Sequence, residues 1–593
     1  MNNPSIVERV KFKIKQHWIA LTVCLFIGLL SICPQVFFIF HLGSEYQGIP
    51  FLQTANEDGY LGIMKEIESG HVLAASVPFF EYKDTYPMIP PTFAIFYVVF
   101  SKIFHISLVS TLLISKFFLP AILFFLVYLF IYRLSKDSDC LAGKINAIAG
   151  GLLVVLGFDL VDYRTVWNFL QGQGVLGYSI IWTRPVNPIS GGILVFTFLL
   201  CLWSLIFRRR FYVILLASLS LALMMASYFF SWTLALSVMG VVSLVSLLKK
   251  EWKFVRSTLM ILGLAALFSA LYWFMVWQAS KLPWANEAAA RMGLFPSRTP
   301  HFNKFVLATL FVFLIVSCLV LYSKRRIKNL KEVPKWWWFC LALLLGGFIV
   351  YNQQVITGKE IWYHHFVFYT IPFGFVALTI LFGNFVRPVY FKSWVFFVSI
   401  AIGASLFCAI SIQYSSRQLF YHYENLQKYA SAFDFLNTKT TKDCVVLSDE
   451  GEDTLNNLIN AFTRCDTYHS TEIFVIAPPD RFYHNYMVSL RLRGIGAEEI
   501  DEYLKENSHE AAINLHYQMQ YFSGYVDKKL ENNLKKFPSD YQEFLQKDFY
   551  QELKKYRLNY ILSVGPLRED IKGSLPGLVE VFKENNVFIY SLS

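Results

Sequence analysis

Long apolar runs separated by short clusters of Lys and Arg fill residues 1–412, and nothing else in the sequence limits the fold so strongly. A helix needs roughly 20 apolar residues to cross a bilayer core, and only helices or closed barrels satisfy their backbone polar groups there. The runs lie at 18–40, 110–133, 145–161, 190–207, 211–227, 231–248, 256–277, 304–323, 336–351, 366–385 and 393–412. Charged residues make up only 16% of the chain, against about 25% in a typical soluble domain. The deficit falls on residues 1–412, and residues 413–593 read as an ordinary soluble domain.

The formal net charge is +11. Many of the bases sit in clusters between the runs: Arg9–Lys15, Arg133–Lys144, Arg208–Arg210, Lys249–Arg256, Lys324–Lys335 and Arg387–Lys392. Short basic loops mark the cytoplasmic side of a membrane protein, whereas a nucleic-acid binder lines a groove with its bases. Placing all six clusters inside predicts about eleven spanning helices, with the N-terminus in and the C-terminus out. The first run lacks the short apolar core and small-residue cleavage site of a signal peptide, so it reads as a retained anchor. Pro91–Phe104 is apolar but short, and it follows Pro90. It reads as a helix lying in the outer interface, with a short tilted span as the alternative. The expected fold is therefore a polytopic α-helical membrane domain, 1–412, and an extracytoplasmic α/β domain, 413–593. The unusual segments fall outside: 41–109, 162–189, 278–303, 352–365 and the C-terminal domain.

The first outer loop carries an acidic pair, Glu57-Asp58, ahead of apolar residues at 60, 61, 63, 64 and 67. That spacing predicts one face of a helix, and Gly70 suits its end. Acids at a helix start are favoured by its dipole, so simple capping accounts for the pair as well as chemistry does. The loop continues through Glu81-Tyr82-Lys83-Asp84 to Tyr86-Pro87-Met88-Ile89-Pro90-Pro91.

An acidic pair opening an amphipathic helix just after the first span, followed by a double proline, resembles the GT-C superfamily of membrane glycosyltransferases. Lys116, early in the second span, falls where several of these enzymes carry an arginine. By motif the resemblance covers residues 56–120, and by architecture most of residues 1–412. It departs from many relatives in its order, Glu57-Asp58 rather than Asp-Glu, and in Tyr60 only two residues on. The resemblance implies transfer of a sugar from a polyprenyl-phosphate donor to a glycan, lipid or protein acceptor on the outer face. An acceptor hydroxyl or amide needs a carboxylate to take its proton, and a phosphate leaving group needs fixed cations. It implies Asp58 as the base with Glu57 second, and Lys83 and Lys116 as phosphate partners. A single acidic pair requires no metal, and no cofactor is expected.

Other residues suit the same chemistry without the resemblance. Arg184, in Trp182-Thr183-Arg184-Pro185, can grip phosphate through its planar fork, or can hold its loop by bonding carbonyls. Asp159 and Asp162 end the third span nearby and offer a second carboxylate. The polar loop from Tyr351 to His365 offers Asn352, Gln353 and His365 to sugar hydroxyls and a phosphate; interfacial anchoring is the plainer reading. Adjacent His364 and His365 do not make a two-His metal site on a helix. There is no P-loop, no GxGxxG after a strand, no HExxH and no CxxC.

In 413–593, Val445–Leu447, Tyr560–Leu562 and Val587–Tyr590 read as strands, and 497–506 and 541–556 as amphipathic helices. Cys444 and Cys465 are the two cysteines of this domain and can pair in an oxidising compartment. The rival functions are a lipid or polysaccharide transporter or flippase, and a non-catalytic membrane scaffold or sensor. A multi-pass protein of a prokaryotic plasma membrane, among membrane lipids and without nucleic acid, is the expected setting.

Overall fold

The computed structural model describes residues 6–592, apart from 137, 324–332, 450–452, 472–474 and 516–527. Most of the basic segment 324–335 thus lies outside the described residues. The chain opens with helix α1 (Ile6–Leu42), then α2 (Glu57–Ser69), α3 (Thr92–Phe104) and α4 (Leu108–Leu134). Apolar helices follow at Leu141–Leu156, Ile189–Leu205, Phe211–Met225, Phe229–Leu248, Lys304–Ser323, Lys335–Tyr351, Val367–Leu381 and Phe391–Ser415. Each apolar run of the sequence falls on a helix. Among the described residues, five helices are long and apolar enough to cross a membrane, and up to six if a bent pair counts as one; the others are shorter apolar helices.

The bent pair differs from the single helix expected over 256–277. Trp252–Phe268 and Ala270–Ala279 meet at 56°. The break falls at Ser269, whose hydroxyl donates to Ala265 O at 2.8 Å.

The helical body has an apolar interior and an apolar exterior. Phe124, Val127, Phe198, Leu199, Val238 and Val376 are fully buried within it. Leu25, Leu29, Leu215, Leu259, Phe396 and Phe407 point outward and are exposed. Soluble monomers rarely show apolar surface on this scale, and a bilayer would cover it.

The C-terminal part forms a five-stranded mixed sheet. Two short strands, β1 (Leu294–Pro296) and β2 (Lys359–Ile361), pair between loops of the helical body. The sheet itself contains β3 (Val445–Ser448), β4 (Asp466–Thr467), β5 (Tyr560–Val564), β6 (Leu578–Glu584) and β7 (Val587–Leu592). Its order is β4-β3-β5-β7-β6, with β3 parallel to β4 and β5, and β7 antiparallel to β5 and β6. Side chains alternate along a strand, and here both faces are covered. Val445, Leu447, Ile561, Phe588 and Tyr590 enter one core. Val446, Leu562, Val587 and Ile589 enter another, with helices Ala430–Lys439 and Asp453–Phe462. Helices Ile500–Glu506 and Phe549–Leu553 fall within the two stretches read as amphipathic. Cys444 and Cys465 are joined in a disulfide beside β3 and β4.

This sheet domain grips the first loop. Gly62 of α2 lies so near the Asp453–Phe462 helix that a Cβ there would sit 3.4 Å from Asn460, besides 3.2 Å from Val77 of its own loop.

Candidate functional site

Helix α2 forms where the sequence places it, with Tyr60, Leu61, Met64 and Ile67 buried. Gly70 ends it at φ 108°, a conformation that glycine adopts without steric cost. The two acids at its start have different surroundings. Glu57 is fully buried. It accepts the Thr54 N–H at 2.7 Å and the Thr54 hydroxyl, and Lys116 Nζ lies 2.8 Å and 2.7 Å from its two oxygens. Asp58 is half-buried; its Oδ1 accepts the Gly59 N–H at 2.9 Å, and no base pairs with it among the described residues. The Tyr423 side chain lies within the field of both carboxylates, and its hydroxyl donates to Leu52 O.

The candidate phosphate partners divide into separate groups. Lys116 is engaged by Glu57, so it neutralises a carboxylate rather than standing free for an anion. Lys83 lies further off and is also engaged. Its Nζ is 2.9 Å from Asp466, 3.2 Å from Glu66 and 3.2 Å from Asp443. A phosphate would have to displace three carboxylates there, so Lys83 leaves the anion-binding set. Burial alone would depress Lys83, but Asp466 and Glu66 outweigh it and hold the ammonium above its usual range. Burial raises Glu66 against the pull of Lys83. Asp466 rises well above the carboxylate range through burial and the charge of Glu66. Partial burial pushes Asp443 up, but Lys83 and Lys442 more than offset it and the carboxyl falls below its usual value.

Arg184 and His365 lie within electrostatic range of each other. The Arg184 guanidinium lies 5.7 Å from the ring centre of Tyr60 on α2, and its charge acts on both Tyr228 and His365. His365 Nδ1 and the Tyr228 hydroxyl are 2.6 Å apart. Arg184 Nε is buried without a hydrogen-bond partner. Such a group is costly unless something pairs with it. Trp182 positions this segment, donating its indole N–H to Val154 O at 2.7 Å.

Asn352 and Gln353 turn inward on their own loop. Asn352 accepts the His301 N–H at 3.0 Å and donates to His301 O and Phe348 O. Gln353 donates to Lys359 O at 3.0 Å and accepts the Thr357 hydroxyl at 2.9 Å. Neither amide is free for a sugar in this arrangement. Of the two further acids near the third span, Asp162 caps the helix Tyr163–Leu170, accepting from Arg164 N–H and the Thr165 hydroxyl.

Sequence reasoning passed over Tyr228, because an aromatic at the end of an apolar run reads as packing. It also missed Thr54 and Asp466, whose roles depend on partners distant in sequence or on loop geometry. Among the described residues, no group of three or more His, Cys, Asp or Glu is disposed to hold a metal ion. Set against known protein families and curated proteins, the chain matches none.

Proposed function

We propose that this chain is a membrane glycosyltransferase of the GT-C kind. It moves a sugar from a polyprenyl-phosphate donor to a glycan, lipid or protein acceptor. In this reading the apolar helices make eleven spans, N-terminus in and C-terminus out, in the plasma membrane of a prokaryote. Helix α2 and the C-terminal domain then lie on the extracytoplasmic face. The observation that carries the reading is the division of labour at the start of α2. Glu57 is anchored on Lys116, which leaves Asp58 half-buried with no cation paired to it among the described residues. A carboxylate without an ion pair is available to accept a proton, while one locked in a buried pair is not.

Asp58 takes the proton of the acceptor as its oxygen or nitrogen attacks the anomeric carbon. The bond from that carbon to the phosphate oxygen breaks, and polyprenyl phosphate leaves. Arg184, with its buried Nε unpaired and the Tyr228–His365 pair beside it, is the group best placed to hold the leaving phosphate.

Release of polyprenyl phosphate is common to every donor sugar, so it can be followed before sugar or acceptor is known. Purified chain is incubated with a panel of short-chain polyprenyl phosphosugars and candidate acceptors. Asp58→Asn should lower release by about 10²–10⁴-fold, the usual contribution of a general base, with donor binding retained. Equal release by the wild type and Asp58→Asn would rule out this role.

A further inference from the structure

The C-terminal ends of α1 and the Phe391–Ser415 helix enclose a groove of about 210 Å³. Leu30, Pro34 and Phe37 line one wall, Ile410 and Tyr414 the other, and Arg417 stands at its end. Pro34 has no N–H, so the Leu30 carbonyl loses its helical donor. Gln413 replaces it, donating to Leu30 O at 2.9 Å. That bond ties the two helices together at the floor of the groove. The same side chain accepts from Gln53 at 3.3 Å, one residue before Thr54, which binds Glu57.

The lining is mostly hydrocarbon and aromatic, with the Cys33 thiol, the Gln413 amide, whose groups are bonded to Leu30 O and Gln53, and one cation. The Arg417 guanidinium lies 5.4 Å from the Phe37 ring and 5.6 Å from the Tyr414 ring. It makes no hydrogen bond or ion pair among the described residues. Both rings are well exposed, at 49% and 71%. A lone arginine at the mouth of an apolar groove on two membrane-spanning helices suits a ligand with an anionic head and a hydrocarbon body.

We propose that this groove binds one anionic phospholipid, with its phosphate on Arg417 and an acyl chain against Leu30, Pro34, Phe37 and Ile410. A soluble anion would gain nothing from the apolar walls, and a chain without charge would leave Arg417 unpaired. The proposal rests on α1 and the Phe391–Ser415 helix spanning the membrane. It is independent of the transferase reading.

The test is native mass spectrometry of the full chain in detergent, titrated with dioleoylphosphatidylglycerol or dioleoylphosphatidylcholine. The wild type should retain the anionic lipid in preference. Arg417→Gln should lower its retention about tenfold, the effect of losing a charge-assisted hydrogen bond, and leave the zwitterionic lipid unchanged. Arg417→Lys should keep the preference, and Leu30→Trp, which fills the groove, should lose the bound lipid. Three results would each overturn the proposal. They are equal retention of both lipids in the wild type and Arg417→Gln, displacement of the lipid by glycerol phosphate alone, and a dimer that dissociates on Arg417→Gln.

Discussion

Replacing Lys83 by Met should loosen the first loop from the C-terminal domain, by an amount that depends on pH. Lys83 is 1% exposed and Asp466 is fully buried. Methionine fills similar space but leaves Asp466, Glu66 and Asp443 facing one another without a cation. Breaking a buried ion pair from one side costs about 3–5 kcal/mol. Because the carboxyl pKa values of Glu66 and Asp466 are raised in the fold, the stability linked to them is present at low pH. It is lost as pH rises through those raised values. Removing Lys83 raises them further, so the variant should suffer most near pH 8 and least near pH 5, where the carboxyls take up protons. Lys83 itself is raised, so its own contribution persists until strongly alkaline pH. Hydrogen exchange of the full chain, over α2 and over residues 443–467, reads the local opening directly. Asp466→Asn in the Lys83→Met background should restore much of the protection at pH 8. Unchanged protection in Lys83→Met at pH 8, or the same loss at pH 5 and pH 8, would refute this account of the cluster.

Two further outcomes can be measured on the same protein. His469 is buried and held neutral, its Nε2 2.7 Å from Asn514 Oδ1, and burial lowers its pKa to about 4. Stability of the sheet domain present above pH 6.5 should therefore fall as pH drops toward 4. The loss is at most about 3 kcal/mol from this group, and His469→Gln should flatten that part of the profile in chemical unfolding. Replacing both Cys444 and Cys465 by Ala should cost about 2–4 kcal/mol. Asp443 and Asp466 flank the two cysteines and share Lys83, so this loss and that of Lys83→Met should sum to more than the loss in the combined variant. Strict additivity in a double-mutant cycle would separate the disulfide from the charge cluster.

How far the sequence revealed this arrangement depended on distance along the chain. Helix α2 was legible because its apolar spacing and Gly70 are local signals. Strands β3, β5 and β7 were legible because each is a run of β-formers buried on both faces. Strand β6 was not. Leu578–Glu584 is an edge strand whose Val579, Glu580 and Val581 are exposed, and its charges weaken the apolar signal of a buried strand. The bend at Ser269 was hidden because the apolar run continues unbroken across it. The fate of Lys83 was hidden too. Its partners Asp443 and Asp466 lie in another domain, and a lysine in a polar loop looks the same whether it faces carboxylates or solvent.

The acidic pair shows most clearly where sequence reasoning stops and geometry begins. Two adjacent carboxylates at a helix start share the same dipole and nearly the same local sequence, so no local argument separates them. Side chains one residue apart on a helix point about 100° apart, so only one of the two can face Lys116. Glu57 does, and Thr54 completes its coordination from the preceding turn. A buried Glu57 without Lys116 would be an uncompensated charge, and Lys116 without Glu57 would be one as well. The pair is thus self-sufficient, and it anchors the start of α2 to α4. Asp58 is then held in place by its neighbour rather than by an ion pair of its own. Capping and chemistry, which compete as explanations for the sequence, become compatible once the two acids take different parts. Glu57 supplies the anchor, and Asp58 is left with a carboxylate that no cation holds among the described residues.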